Sequence, residues 1–389
     1  MKFSFFYHSL LSDWNHGNAH FLRGVVSDLL ARGHEVQVFE PANAWSKANM
    51  LQDHGLAPLN DFHKTYPQLT SQPYERESLD LEQVAYDSDV VVVHEWNEPW
   101  LVNGLGELRN KLQRGGNSEQ SFTLLFHDTH HRAVSDPSWL HRFKLEYYDG
   151  VLAFGESLTE VYRRHGWHHD VWTWHEAADT RVFYPRQPNS RYPSGDFVWV
   201  GNWADGERAA DLEEFLFFPL REMQLHSYAF GVNYPREVLS QLAWEGVHYG
   251  GWIANFRVPE LYANFKFTVH VPRNYYADRL PGIPTIRPFE AMACGVPLIC
   301  SPWDDAEGLF QAGEDYLVAR DATEMQQHMR AVLEDRDLVK DMTSTALATI
   351  RARHTCSHRV DQLLSIITAI KQCPQQSSET IKSPKEVAA

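Results

Sequence analysis

Apolar segments with the character of strands alternate with amphipathic segments along most of the chain. Residues 2–8 predict a first strand, and residues 19–32 have the period of a helix that Gly33 ends. Further strand-like runs follow at residues 35–39, 89–94, 123–126, 150–154 and 170–174. Continuous apolar strands of this kind are typical of parallel sheets whose two faces are both covered by helices. The pattern therefore predicts an α/β fold.

Two segments interrupt the alternation. Residues 41–74 are rich in Pro, Asn and Gln, and they predict an irregular surface excursion near a cleft, or a lid. Residues 184–195 contain few apolar side chains and crowd together Pro185, Pro188, Pro193 and Gly195. Such a cluster is typical of a linker, so we expect a domain boundary there.

The strand pattern restarts after this break. Strand-like runs lie at residues 197–200, 227–230, 247–249, 267–271 and 297–300, and the chain is helical in pattern from residue 321 to about residue 371. We therefore expect a first domain at residues 1–185 and a second at residues 195–355. Residues 372–389 are polar, and we expect a disordered tail.

Length and charge narrow the classes of function. The 389 residues suit two domains, and 35 basic against 51 acidic residues give a net charge of −16. That balance argues against nucleic acid or anionic lipid as a partner. No run approaches the ~20 apolar residues of a membrane helix, the start has no signal-like apolar segment, and the four cysteines form no C-x-x-C pair. We expect a cytoplasmic protein with reduced thiols and no transmembrane segment.

Ligands of open α/β sheets bind beyond the carboxyl ends of strands, so the loops there hold the candidate site residues. After the first strand, Gly17 and Asn18 open a helix, where a small residue lets a phosphate approach the backbone amides. The alternative is a tight turn with an asparagine N-cap. The loop lacks the G-x-G-x-x-G spacing, which counts against a dinucleotide oxidoreductase.

A second candidate group follows the strand at residues 123–126. His127 and Asp128 come directly after it, and a polar cluster also follows the strand that ends near His94. His127 suits a hydrogen bond to a sugar hydroxyl or a proton transfer near pH 7. The alternative is an ordinary core or surface histidine. The histidine cluster lacks the carboxylate–histidine spacing typical of a metal-binding helix, so we predict no metal site.

The second half offers cations at comparable positions. Gly201 and Asn202 end the strand at residues 197–200, Arg208 follows before a helix, and Arg273 follows the strand at residues 267–271. An arginine beside such a strand end suits a departing diphosphate. The alternative is a solvated surface arginine.

The most specific segment is residues 287–299. Pro288 suits the first turn of a helix, and Arg287 and Glu290 lie beside it. Glu290 has two readings. It either complements the helix dipole or accepts hydrogen bonds from the hydroxyls of a nucleotide ribose.

This segment, R-P-F-E-A-M-A-C-G-V-P-L-I, resembles the donor-site helix of retaining GT-B glycosyltransferases of family 4. Residues 17–36 resemble the first loop, helix and second strand of that family, F-H-D its acceptor-side His-Asp, and residues 178–185 the end of its first domain. The V-G-N-W sequence followed by Arg208 is most similar to the spore-maturation CgeB-like proteins. The resemblance covers about residues 1–371.

The resemblance implies two Rossmann-like domains facing a central cleft, with a helix at residues 356–371 crossing back to the first domain. It implies retaining transfer of a sugar from a nucleotide-sugar donor. His127, Asp128 and Arg208 would be catalytic, and Gly17, Asn18, Gly201, Asn202, Arg273, Arg287 and Glu290 would bind the donor. The family often carries two glutamates separated by seven residues; Glu290 matches the second, and Gly282 stands at the position of the first. Its diphosphate-binding Arg/Lys pair is represented here by Arg208 alone.

Several alternatives stay open on these residues. An epimerase or a phosphorylase can use the same fold, and so can a non-catalytic nucleotide-sugar binding protein. The acceptor, whether sugar, lipid-linked or protein, is not identified by the sequence. The strand-end loops hold no Asp-x-Asp pair for a divalent ion, so we expect metal-independent activity with no cofactor besides the nucleotide-sugar co-substrate.

Overall fold

A computed structural model describes residues 1–114, 122–203 and 206–372 of the chain. These residues form two parallel sheets, one in each half of the chain, with helices packed around them. The predicted tail lies outside the described residues, apart from Gln372, which ends the last helix. Among the described helices, none combines the length and the hydropathy needed to cross a membrane.

The first sheet has seven strands in the order β3-β2-β1-β4-β5-β6-β7. Val90 to Val93 in its centre are fully buried, because helices cover both faces of a parallel sheet. The strands are β1 Lys2–Phe6, β2 Glu35–Pro41, β3 Gln72–Tyr74, β4 Val90–His94, β5 Thr123–Asp128, β6 Gly150–Ala153 and β7 Val171–Thr173. The helices of this half are α1 Ala19–Ala31, α2 Trp45–His54, α3 Ala57–Thr65, α4 Leu81–Tyr86, α5 Pro99–Arg114, α6 Arg132–Ser135, α7 Pro137–Leu140 and α8 Glu156–His165, with a 3₁₀ turn at Leu145–Tyr147.

The second sheet has six strands in the order β10-β9-β8-β11-β12-β13. Its strands are β8 Gly195–Val200, β9 Ser227–Phe230, β10 Val247–Tyr249, β11 Phe265–His270, β12 Leu298–Cys300 and β13 Leu317–Val318. Its helices are α9 Ala209–Leu212, α10 Phe218–Met223, α11 Arg236–Trp244, α12 Val258–Tyr262, α13 Ile286–Ala293, α14 Ala322–Glu334 and α15 Arg336–Arg353. A 3₁₀ turn lies at Asn255–Arg257, and π-helical turns lie at Glu213–Phe217 and Tyr275–Arg279.

The last helix, α16 Cys356–Gln372, packs against α1 of the first sheet. Gly24 of α1 permits this contact, because a Cβ there would lie 2.3 Å from Cys356 Sγ. Trp174 Nε1 donates to Arg359 O at 2.8 Å, and Arg32 donates to Asp361 Oδ1 at 2.5 Å. The last described helix therefore packs against the first domain, in which the chain begins.

Residues 41–74 differ from the irregular excursion that their composition predicts. They form α2, α3 and β3, and Phe62 of α3 is fully buried beneath the guanidinium of Arg23, at 5.0 Å from its ring centroid. The segment is ordered because a few apolar side chains, spaced too widely to give a clear period, reach the core between the two sheets.

The segment predicted as a linker, residues 184–195, is attached to the second domain. Asn264 Nδ2 donates to the carbonyl oxygens of Asn189 at 2.7 Å and Tyr192 at 2.9 Å. Asn264 Oδ1 accepts from the backbone N–H of Asn189 at 2.9 Å. These bonds hold the linker against the residues that follow α12.

Candidate functional site

A small cavity of about 40 Å³ lies between the two domains, at the carboxyl ends of β1 and β8. It brings together Gly17 from the first domain with Gly201, Asn202 and Arg287 from the second, four of the residues that the sequence predicts for a site. Its other lining residues are Asp13, His16, Val200, Phe230, Gly231, Trp252, Ile253, Asn255 and Val258. The position agrees with the rule that open α/β sheets bind ligands beyond their strand ends.

The first-domain wall is the loop after β1. Asp13 is held by Arg23, whose NH1 donates to Asp13 Oδ2 at 2.7 Å, and Asn15 has a left-handed backbone with φ +50°. Gly17 faces the other domain, because a Cβ there would lie 3.6 Å from Ile286 Cγ2. The loop thus places its backbone directly against the first residue of α13.

Asn18 does not act as the helix cap that one reading of the sequence favours. It precedes α1, yet its side chain caps no backbone N–H of that helix. Its Nδ2 donates instead to Glu176 Oε1 at 3.5 Å, and its Oδ1 is buried with no hydrogen-bond partner among the described residues. The carboxamide therefore contacts the loop after β7 instead of its own helix.

The second-domain wall is the loop after β8. Asn202 Oδ1 accepts from the backbone N–H of Val232 at 3.0 Å, and its Nδ2 donates to Asn15 Oδ1 across the cleft at 2.9 Å. Gly231 must be glycine, since a Cβ there would lie 2.1 Å from Gly201 O. Two loops in close backbone contact therefore form this wall.

Arg287 lies in the first turn of α13. The residue before this helix, Thr285, has φ +51°, a strained backbone that non-glycine residues rarely adopt. The Arg287 guanidinium pairs with Glu290 on its own helix, retains 21 % side-chain exposure and lines the cavity. Arg287 is therefore the cation best placed for an anionic ligand.

Glu290 is fully buried and does not line the cavity. Its Oε1 accepts from Asn255 Nδ2 at 2.5 Å and from His20 Nδ1 at 2.9 Å, and its Oε2 accepts from Arg287. Burial raises the pKa of the carboxyl, but the Arg287, His20 and Asn255 contacts outweigh burial and leave the pKa below its usual value. In this arrangement Glu290 is occupied by protein groups and joins the two domains.

Arg208 is 9 % exposed, which excludes the solvated surface role. Its NH1 donates to Val271 O at 2.6 Å and its NH2 to Asn202 O at 2.8 Å, and the guanidinium lies 5.4 Å from the Trp199 ring centroid. Burial lowers the pKa of this arginine. Arg208 thus connects the loops that follow β8 and β11.

Arg273 also has a partner within its own domain. Its Nε donates to Glu207 Oε1 at 2.8 Å, while the backbone N–H of Asn274 donates to Glu207 Oε2 at 3.1 Å. Its guanidinium lies 5.7 Å from the ring centroid of Tyr275. Arg273 and Arg287 nonetheless both lie close enough to Arg208 to lower its pKa.

The predicted pair His127 and Asp128 lies at the end of β5, next to His94 of β4 in the strand register. Tyr7 and His127 Nδ1 share a hydrogen bond of 2.5 Å, and His127 Nε2 is buried without a partner among the described residues. Burial lowers the pKa of His127 to about 3, so this imidazole is neutral at pH 7. A hydrogen-bonding role suits it better than proton transfer near neutral pH.

Asp128 is 1 % exposed and fully engaged. Its Oδ2 accepts from Tyr162 at 2.7 Å and its Oδ1 from the backbone N–H of His130 at 2.9 Å. Burial raises its pKa to about 6. The carboxylate therefore fixes the turn after β5.

Glu307 is a cleft residue that the sequence does not reveal. Its Oε2 pairs with His175 Nε2 at 2.6 Å and its Oε1 accepts from the backbone N–H of Glu156 at 2.8 Å, both in the first domain. It also fills the space beside Gly282, where a Cβ would lie 3.3 Å from Glu307 Oε1. Gly282 has φ +86°, which disfavours any other residue there. Position 282 thus lacks a carboxylate while Glu307 places one beside it.

Three residues that were not predicted, Asp13, His16 and Asn255, also line the cavity, and two more contact predicted residues: His20 contacts Glu290 and Glu176 contacts Asn18. His16 precedes Gly17 in the same loop, which was the one available signal. No sequence motif around Asn255 indicates a site residue. In the part of the chain that the structure describes, no three His, Cys, Asp or Glu side chains are grouped so as to hold a metal ion.

Comparison with solved structures decides the architecture. Anabaena HepE in complex with UDP and glucose superposes with a TM-score of 0.64 at 14% identity, covering 95% of this chain and 100% of that chain. Sucrose-phosphate synthase from Thermosynechococcus elongatus gives 0.61 at 13% identity, covering 96% and 99%. The chain has the GT-B fold. The predicted α/β class is confirmed.

A further GT-B neighbour is an alpha-glucosyltransferase in complex with UDP and a 13-mer DNA, with a TM-score of 0.64, 13% identity and coverage of 95% and 99%. Residues 208–365, most of the second domain, match a family model described as glycosyl transferase-like. By sequence, no curated protein matches the chain.

Proposed function

We propose that this GT-B protein is a glycosyltransferase that moves a hexose from a nucleotide-sugar donor, with UDP-glucose the first donor to test. The observation that carries the proposal is the convergence of Gly17, Gly201, Asn202 and Arg287 on one interdomain cavity. The glycosyl transferase-like match over residues 208–365 supports it. UDP appears with both HepE and the alpha-glucosyltransferase among the neighbours.

In this proposal Arg287 binds the diphosphate. A guanidinium presents paired N–H donors to phosphate oxygens, and charge on the departing diphosphate grows as the glycosidic bond breaks. Arg208 and Arg273 add positive potential and hold the loops, while the glycines at 17 and 201 let backbone amides approach the phosphates. Glu290 orients Arg287, and its contact with the ribose requires that His20 release it.

His127 and Asp128 belong to the acceptor side. A neutral His127 Nε2 with an unused hydrogen-bonding position suits a sugar hydroxyl, and Asp128 fixes the turn that follows it. We propose retention of the anomeric configuration and independence of metal, on the strength of the family resemblance. The likeness to CgeB-like proteins rests on the sequence alone.

The net charge bears on the choice of acceptor. The net charge of −16 disfavours nucleic acid, although one GT-B neighbour is bound to DNA, so a DNA acceptor belongs among the controls. Three buried free thiols, Cys294, Cys300 and Cys356, support our proposal of a cytoplasmic location.

Donor binding requires the domains to separate. The cavity holds about 40 Å³, whereas ligand sites for small molecules span about 300–1,000 Å³. The present arrangement is therefore closed, and the interdomain contacts of Glu290 and Glu307 must yield before a nucleotide sugar enters.

A thermal-shift screen of nucleoside diphosphates and nucleotide sugars tests the proposal. A ligand at 100 times its Kd stabilises the folded state by ~2.7 kcal/mol, which gives a measurable rise in Tm. Turnover is then measured as nucleoside diphosphate release with and without candidate acceptors. No rise in Tm with any of these ligands would contradict the assignment, and isomerisation of the free donor without acceptor would favour an epimerase.

A further inference from the structure

Glu176, which follows β7, contacts Asn18, the residue after the cavity-lining Gly17. It is 6 % exposed, and its one hydrogen bond among the described residues is the 3.5 Å contact with Asn18 Nδ2. Asn18 is 7 % exposed, and its Oδ1 has no partner there. Unsatisfied buried polar groups are costly and uncommon, so the unpaired Asn18 Oδ1 beside a carboxyl with one long hydrogen bond indicates a ligand that completes them.

The pair lies next to the cation proposed for the diphosphate. Gly17, the neighbour of Asn18, lines the cavity together with Arg287. Arg287 and Glu290 of α13 both act electrostatically on Glu176. In a nucleotide sugar the sugar is attached directly to the diphosphate, so this position beside Arg287 suits the sugar.

The protonation state of Glu176 sets its hydrogen-bonding role. Burial raises its pKa to about 8, with Glu290 adding to the rise and the Asn18 hydrogen bond and Arg287 opposing it. The other ionisable groups that face it are Tyr7 at the end of β1 and Tyr276 in the turn Tyr275–Arg279. At pH 7 the carboxyl is therefore mostly protonated and able to donate.

We propose that the Glu176 carboxyl and the Asn18 carboxamide together bind one hydroxyl group of the donor sugar. This inference rests on the proposed function. The Glu176 O–H donates to the hydroxyl oxygen, and the hydroxyl hydrogen is donated to Asn18 Oδ1. A hydroxyl is both donor and acceptor and satisfies the pair, whereas a phosphate oxygen only accepts. The pair thus selects the sugar and forms or breaks no covalent bond.

Calorimetric titration with UDP-glucose and with UDP tests the pair at pH 7 and pH 9. Glu176→Ala should bind UDP-glucose roughly three- to tenfold more weakly at pH 7 and bind UDP as the wild type does, since UDP lacks the sugar. Glu176→Gln should match the wild type at pH 7, because its amide also donates. The matched control is Glu160→Ala, on the exposed face of α8.

At pH 9 the UDP-glucose affinities of the wild type and of Glu176→Gln should differ. The wild-type carboxyl is ionised there and the affinity of the wild type for UDP-glucose falls, whereas the Gln variant keeps its pH 7 affinity.

The melting temperature of the ligand-free protein gives a second, independent measurement. Because the folded pKa of about 8 lies above the ordinary pKa of 4.5 for a glutamate, the stabilisation that Glu176 contributes is complete below pH 4.5 and lost as pH rises through 8. Glu176→Gln should therefore gain in Tm relative to wild type between pH 6 and pH 9.

The outcomes separate the two proposals. A wild type that binds neither UDP nor UDP-glucose contradicts the donor assignment and this inference with it. If the wild type binds UDP-glucose no more tightly than Glu176→Ala, this inference is wrong and the donor assignment is unaffected. An equal loss of affinity for UDP and for UDP-glucose in Glu176→Ala also contradicts the inference. So does a Glu176→Gln variant that binds UDP-glucose as weakly as Glu176→Ala at pH 7. If the alanine variant does not fold, the Gln comparison across pH decides.

Discussion

His20 of α1 donates a hydrogen bond to Glu290 of α13, with 2.9 Å between Nδ1 and Oε1. The direction follows from the other ring nitrogen, because His20 Nε2 accepts from the backbone N–H of Asp179 at 2.8 Å. Nδ1 therefore carries the proton of the neutral ring. One fully buried contact thus connects the helix that follows β1 in the first domain to the helix that carries Arg287 in the second.

Replacing Glu290 by alanine should weaken both folding and donor binding. The change leaves His20, Asn255 and Arg287 without their shared acceptor, and removing one partner of a buried ion pair costs ~3–5 kcal/mol. Donor KM should rise more than kcat falls, since Arg287 loses its orientation. Denaturant unfolding and steady-state kinetics measure the two effects, with Glu290→Gln as the isosteric comparison. Wild-type stability together with wild-type KM would refute the assigned role.

Arg208→Ala should act on stability and on the geometry of the Asn202 loop. The variant leaves the carbonyl oxygens of Val271 and Asn202 without their donors, at a cost of ~1–3 kcal/mol for each buried group left unsatisfied. We expect a lower Tm and a higher donor KM. Arg208→Lys should recover part of the stability, because lysine lacks the forked geometry that reaches both carbonyls. A fall in kcat of roughly a hundredfold with unchanged Tm would instead indicate direct contact with the diphosphate.

Glu307→Ala should open the cleft of the ligand-free protein. The variant loses the pairing with His175 and the hydrogen bond from Glu156, two contacts between domains. Small-angle scattering should give a larger radius of gyration than for the wild type, and the association rate of the donor should rise. Glu334→Ala, an exposed change at the end of α14, is the control and should alter neither quantity. Identical scattering curves for Glu307→Ala and wild type would rule out this holding role.

Turnover should survive chelation by EDTA. Arg287 and the amide-rich loops at Gly17 and Gly201 provide positive potential where a divalent ion would otherwise bridge the diphosphate. Activity is measured before and after EDTA, with added Mg²⁺ or Mn²⁺ as the comparison. Loss of turnover that either ion restores would show that the diphosphate is bound through a metal.

The strand-end loops were recognisable from the sequence because apolar runs mark buried strands and ligands bind where such strands end. Gly17, Gly201 and Asn202 were predicted in this way, Arg287 was predicted from the motif at residues 287–299, and all four line one cavity. The strand-end reasoning selected Arg208 and Arg273 as well, but it did not reveal that Val271, Asn202 and Glu207 accept from them. The end of a strand fixes the backbone position of a residue. The hydrogen-bond partner of its side chain depends on loops that are distant in sequence.

Local pattern determined the α/β alternation, the break near residue 190 and the glycine-rich loops, since each depends on burial or backbone freedom within a few residues. The tertiary structure decided that Glu290 faces His20, 270 positions away, that Glu307 fills the space beside Gly282, and that Glu176 and Asn18 meet. The physical reason is that each contact joins residues that are distant along the chain, within one domain for Glu176 and Glu307 and between the two domains for Glu290. Their distances depend on how loops and helices pack in three dimensions, which no segment of the sequence specifies by itself.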